Sequence, residues 1–259
     1  MPISSKIARQ MEEASWIRKM FEEGVRLAKQ VGAGGIHDFT LGNPDLEPPP
    51  EFVASLRDLV VRPRAGMHRY MPNAGFPDVR EAVAKWVREE SGVDVGGKHV
   101  ILAVGAGGGL NVVLKTLLDP GDEVVVFAPF FPEYAFYVDN HGGVLVVVET
   151  DDRFRIDLDR LDAAIGPRTK AVFVNSPNNP TGAVYDAATL ARLGEFLADR
   201  SRRLGRPIYL VSDDPYKKIL FDGATYSHVF RHYENSIAVY SHSKDLGLAG
   251  ERIGHVAVH

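Results

Sequence analysis

Cysteine is absent from the 259 residues, which excludes disulfides, thiol nucleophiles and cysteine-ligated metal. A charge excess is missing too: 30 Lys and Arg stand against 34 Asp and Glu, a net of −4. Neither a nucleic-acid footprint nor a polybasic membrane patch is indicated. No run approaches the roughly 18 apolar residues of a membrane span, and the charged N-terminus is unlike a signal peptide. Internal repeats and low-complexity tracts are lacking. What remains is ordinary globular material, 45% hydrophobic, enough to bury a sizeable core. These bounds imply a soluble, cytoplasmic protein that binds neither nucleic acid nor membrane.

The patterning is more specific. Ile7, Met11, Ala14, Ile17, Phe21, Val25 and Ala28 recur at spacings of three and four, which predicts one amphipathic helix ending near Gly32. Phe39 to Asp45, followed by Pro48, Pro49 and Pro50, predicts an extended connection. Pro77 can open a further helix and Gly92 close it. Beyond His99, strand-like runs near 100–104, 123–127, 144–148, 171–175, 207–212 and 236–240 alternate with helical stretches near 110–118, 158–165 and 187–203. Near-continuous apolar strands alternating with helices predict an α/β fold, a mainly parallel sheet with helices on both faces, after an N-terminal helical arm. Ligands of such sheets sit at the carboxyl ends of the strands.

The residues that carry chemistry fall at those ends. Ser241-His242-Ser243-Lys244 follows one strand, and Arg252 and Gly254 come eight and ten residues after the lysine. A bare Ser-x-Ser-Lys is an ordinary polar loop. With the arginine at this spacing it suits a phosphorylated aldehyde: the Lys244 amine forms a Schiff base, and Ser241, Ser243 and Arg252 hold the phosphate. Gly105-Ala106-Gly107-Gly108-Gly109 joins another strand to a helix. Leu110 stands where a dinucleotide fingerprint needs its last glycine, and no Walker ending follows. The turn therefore reads as a cradle for a single phosphate, with Ala106 and Gly107 as amide donors, against the plain alternative of tight helix packing. Asp213 closes an apolar strand, where a carboxylate needs a partner; helix capping suits its neighbour Asp214 better. Asn175 to Gly182 contains an Asn-Pro-x-Gly loop at a strand end. His228 and His232 are four apart but lack a third ligand, so no metal site is read there.

In order and local spacing these motifs resemble those of the class I/II aminotransferases, the fold-type I pyridoxal 5'-phosphate (PLP) enzymes, from about Phe39 to the last residue. The resemblance implies that Lys244 carries the cofactor and moves a proton, and that Asp213 pairs with the pyridinium nitrogen. Asn179 and Tyr216 would meet the phenolic oxygen, Phe131 would stack on the ring, and Gly105, Ala106 and Gly107 would hold phosphate. Gly42, with Asn179, would meet the substrate, and Tyr70 would reach across a homodimer to the other subunit's phosphate. Residues 253–258 would be the antiparallel seventh strand. The implied activity moves an amino group between an amino acid and a 2-oxo acid.

The domains expected are an arm, 1–44, and a PLP-binding large domain, 45–259. Members of the resembled family continue through a smaller domain that supplies an arginine for the substrate α-carboxylate. No residue here is assigned that role, so the chain is expected to be partial. A PLP-dependent carbon–sulfur or β-lyase would share every cofactor residue named. A cofactor-binding fragment without turnover would share them as well. A PLP-sensing regulator is a further alternative, although no helix-turn-helix or basic segment precedes Phe39.

Overall fold

A computed structural model describes residues 3–13, 15–37 and 42–259. The chain divides into two compact units, Met1–Asp45 and Leu46–His259. In the first, α1 (Ser5–Glu13) and α2 (Ser15–Val31) replace the single expected helix. Ala14 between them, and residues 39–41 of the expected connection, lie outside the described residues. Gly32, with φ of +84°, ends α2, the conformation glycine adopts without strain.

The second unit begins with α3 (Pro50–Val61). The proline run does not keep the chain extended here. Pro50 occupies the first turn of a helix, where its missing N–H costs nothing. Helix α4 (Pro77–Ser91) opens on Pro77 and closes at a left-handed Gly92, as expected. Then follow β1 (Val100–Val104), α5 (Gly105–Leu117), β2 (Glu123–Ala128), α6 (Glu133–Asn140), β3 (Val144–Glu149) and α7 (Leu158–Ala164). The remainder is β4 (Thr169–Asn175), α8 (Ala187–Leu204), β5 (Tyr209–Asp213), β6 (Ser236–Ser241) and β7 (Ile253–Val258).

All seven strands form one sheet in the order β1-β7-β6-β5-β4-β2-β3. Only β7 runs antiparallel, between β1 and β6, so the predicted α/β class and the antiparallel strand are both observed. Helix α5 starts at Gly105, five residues before the apolar pattern announces it. The glycine turn is its first turn.

Strand periodicity sorts the core into two layers. Val124, Val126, Phe173, Val211, Val239 and Val256 pack with Leu110 and Leu114 of α5 and Tyr134 and Val138 of α6. Val125, Phe127, Val172, Val174 and Leu210 face the other way, onto Val87 of α4, Leu161 of α7 and Leu193 and Leu197 of α8. Each such side chain contributes about 1.5–3 kcal/mol by leaving water. Helix α5 lies unusually close to the sheet, since a Cβ on Gly109 would stand 2.8 Å from Val239 Cγ1. Among the described residues no helix is long and apolar enough to cross a membrane.

Candidate active site

The same alternation decides what gathers at the carboxyl end of the sheet. Along β5, Val211 faces the α5/α6 layer, so Asp213 points the same way. Its Oδ2 accepts a hydrogen bond from the Tyr134 hydroxyl at 2.7 Å. Its Oδ1 is buried without a hydrogen-bond partner. Asp213 lines a cavity of about 150 Å³ that also has Lys244, Ser241, Ser243 and Arg252 on its wall. Burial pushes the Asp213 carboxyl up to about 7, against the bond from Tyr134, which favours the ionised form.

The lysine loop sits on the cavity because three backbones approach closely. A Cβ on Gly254 would fall 2.5 Å from the Tyr240 carbonyl and within 3 Å of the Gly105 backbone. Gly105 itself has φ of +67°, and a Cβ there would meet the Arg252 guanidinium at 2.7 Å. Arg252 thus lies across the first turn of α5, where the N–H groups have no carbonyl one turn earlier to bond. Its Nη1 also donates to the Ala249 carbonyl at 2.9 Å. Ser241 and Ser243 are buried with their hydroxyls 2.6 Å apart. Partial burial, then the Arg252 charge, lowers the Lys244 amine from the ordinary lysine value.

The opposite wall comes from β4. Asn175 Nδ2 donates to the Asp213 carbonyl at 2.7 Å, and its Oδ1 accepts from the Asn179 N–H at 2.7 Å. The next loop is so held that Asn179 Nδ2 reaches the Tyr216 hydroxyl at 3.4 Å. Burial, then the Asp213 charge, raises the Tyr216 hydroxyl above its ordinary value. Phe131 also lines the cavity, meeting Tyr134 edge-on with ring centroids 5.6 Å apart.

Eleven of the twelve residues expected at the cofactor are therefore placed around one cavity: ten of them on its wall, and Gly105 beneath Arg252. Tyr70 is not among them and is fully exposed. Gly42, expected at the substrate, belongs to the N-terminal unit. Sequence reasoning missed Asn175, Tyr134 and Tyr137. The two tyrosines stand three apart on α6 and so share a face. Nothing in the sequence says that this face meets Asp213 and the glycine turn, where Tyr137 blocks any Cβ on Gly107 at 2.9 Å.

Asp214 lies on the other side of the sheet and caps no helix. It accepts hydrogen bonds from Ser212 Oγ at 2.5 Å and the Tyr226 hydroxyl at 2.9 Å. Near it the buried Lys217 ammonium is 2.6 Å from Glu90 Oε2 and 4.2 Å from the ring centres of Trp86 and Tyr240. His228 and His255 adjoin this cluster; burial, then the Lys217 charge, pushes both down to about 3. His228 and His232 flank a short 3-10 turn, and His232 Nε2 lies 2.8 Å from Ser227 Oγ.

Residues 35–259 match the family described as aminotransferase class I and II. The chain belongs to that family. Among curated class I and II relatives it is 38% identical over 218 residues to an aspartate/prephenate aminotransferase of Thermus thermophilus. That match covers 83% of this chain and 54% of the relative. It is 34% identical over 240 residues to an aspartate aminotransferase of Geobacillus stearothermophilus, covering 89% of this chain and 58% of that one. The chain thus spans little more than half the length of these relatives. The crystal structure of an amino transferase from Eubacterium rectale superposes with a TM-score of 0.93 at 35% identity, over 100% of this chain and 66% of that one.

Proposed function

We propose that this chain carries the PLP site of an aminotransferase that moves an amino group between an amino acid and a 2-oxo acid, with Lys244 as the residue that binds the cofactor aldehyde. The family is PLP-dependent, and the donor set fits that group. The observation that carries the reading is the orphaned, buried Oδ1 of Asp213, a residue that lines the same cavity as Lys244. A carboxylate buried without a partner costs several kcal/mol. A protonated ring nitrogen would remove that cost and hold Asp213 ionised.

What the cofactor supplies when bound is an aldehyde and an electron-withdrawing ring. The rest falls to this chain. Arg252, Ser241, Ser243 and the Gly105–Gly107 turn hold the phosphate; Phe131 covers the ring; Asn179 and Tyr216 donate to the phenolic oxygen. The Lys244 amine, less basic than an exposed lysine, would take the proton from the substrate Cα as base and deliver it, as acid, to the carbon that was the cofactor's aldehyde. Tyr70, fully exposed in one chain, is the residue proposed to reach the phosphate of a second copy in a homodimer. Gly42 is proposed to offer its backbone to the substrate carboxylate.

The test is spectroscopic. The chain incubated with PLP and desalted should keep a visible absorption band, and Lys244→Ala should lose it. An equal band in both would overturn the role of Lys244. Conversion of an amino acid to its 2-oxo acid, rather than loss of a β-substituent, would separate amino transfer from lyase chemistry.

A further inference from the structure

The lysine loop is fastened from the face of the sheet that the cavity does not use. Lys244 lines the cavity, and Asp245 turns the other way, its side chain only 2% exposed. Asp245 Oδ2 accepts the Tyr240 hydroxyl at 2.6 Å and lies 3.2 Å from Lys218 Nζ. Its Oδ1 stands 3.4 Å from His242 Nδ1, an ion-pair distance when the imidazole is charged. The partners are held in turn by Trp86 of α4. The Trp86 ring takes Lys218 Nζ at 4.7 Å from its centre, stacks with His242 at 5.9 Å and meets Tyr240 edge-on at 4.8 Å.

Burial works against ionising Asp245, yet its contacts with His242, Tyr240 and Lys218 hold it down to about 2. An anion this enclosed is expensive unless its partners are fixed, and an exposed loop would manage with any small polar residue. Its place directly after the lysine gives the arrangement a use. The backbone between the two residues is clamped by a carboxylate on one side while the amine stands on the cavity wall on the other.

We propose that Asp245 is a positioning residue for Lys244: its carboxylate, gripped by Tyr240, Lys218 and His242, sets the loop backbone so that the lysine amine stays on the cavity wall. This rests on the functional reading of Lys244 above. A part that only stabilised the fold would change melting and leave the amine's reactivity in the folded protein untouched.

The experiment measures how fast PLP, used as an aldehyde probe and trapped with borohydride, labels Lys244, read by peptide mass. Circular dichroism establishes that each variant is folded. Asp245→Ala should label Lys244 about 10-fold more slowly, because small misplacements of a reacting group are costly. Asp245→Asn keeps an acceptor for Tyr240 and should stay within about threefold of the parent. The sign is informative. Removing a negative charge beside an amine lowers its pKa and raises the reactive neutral fraction, so a fall in rate reports position rather than charge. Labelling of Asp245→Ala at the parental rate would overturn the proposal. If that variant does not fold, Tyr240→Phe removes one of the grips. Its labelling should slow about threefold, the loss of one hydrogen bond on a modest scale, and an unchanged rate overturns the proposal equally. A parent chain that labels Lys244 no faster than its other lysines would instead overturn the functional reading, and the positioning role with it.

Discussion

Asp213 and Asp214 are neighbours, both buried, and their surroundings could hardly differ more. Asp214 has a hydroxyl on each oxygen and the Lys217 ammonium nearby. Asp213 has one hydroxyl, and its second oxygen is left bare beside a cavity. Strand geometry puts consecutive residues on opposite faces, so one step along β5 separates a finished polar cluster from an unfinished one. The finished side, with Trp86, Tyr240, Lys217 and Glu90, contributes to holding the fold. The unfinished side carries an energetic cost that a cationic ligand group, or a proton, relieves. Of these two aspartates, the one with a donor on each oxygen reads as structure, and the one with a bare oxygen beside a cavity reads as a place for a ligand.

That contrast can be broken from either side. The largest effect is expected at Asp213. With the loaded protein, Asp213→Asn should weaken PLP retention by about 100-fold or more, as expected for breaking a buried charge pair, measured by titration of the visible band. In the unloaded protein the sign reverses. The folded carboxyl titrates near 7 and its ordinary value is 3.8, so the parent loses stability as pH rises from about 4 to 7. The Asn variant avoids that loss. It should be more stable at pH 8 by about 4 kcal/mol and equal to the parent below pH 4, as read from denaturant midpoints.

On the finished side, Lys217→Met should do the opposite. It removes the partner of Glu90 and the cation over Trp86 and Tyr240, and should cost about 2–3 kcal/mol of stability. PLP retention by the fraction that remains folded should not change. A large loss of affinity with no loss of stability would erase the distinction between the two faces. The smallest expected effect sharpens it. Tyr134→Phe takes the one donor from Asp213, at about 1 kcal/mol. That bond favours the ionised form, so the Asp213 carboxyl should climb further. The upper edge of the pH window over which the unloaded protein loses stability should rise with it, while the lower edge, set by the unfolded chain, stays near 4.

Much of this was legible before any coordinates. The alternation of apolar runs identifies the strands, because β4, β5 and β6 are buried on both faces. Pro77 and Gly92 bracket α4 for reasons local to those residues. Lys244, Asp213 and Asn179 stand out because their types are costly or rare where they occur. The start of α5 was not legible, since glycines are poor helix formers and only close neighbours explain them: Arg252 at Gly105, Tyr137 at Gly107, and Val239 and Val256 at Gly109. Nor was the grip on Asp245. It depends on Trp86 meeting Tyr240 and His242 across the sheet, a contact that no local pattern encodes. The helix at Pro50 was missed because a proline that ends extended chain and one that opens a helix look alike.

The place of β7 imposes an order of events. Among the described residues, strand β1 has no neighbour in the sheet except β7, from Val100 opposite Ala257 to Val104 opposite Ile253. Pairings between segments so distant along the chain form late. As the polypeptide leaves the ribosome, β1 waits as an open edge, the kind that invites misassociation, until β7 has been made. The lysine loop is the link between β6 and β7, so the strand that closes the sheet also delivers Lys244 and Arg252 to the glycine turn. A nascent chain stalled before residue 253 would hold most of the core and none of the completed site.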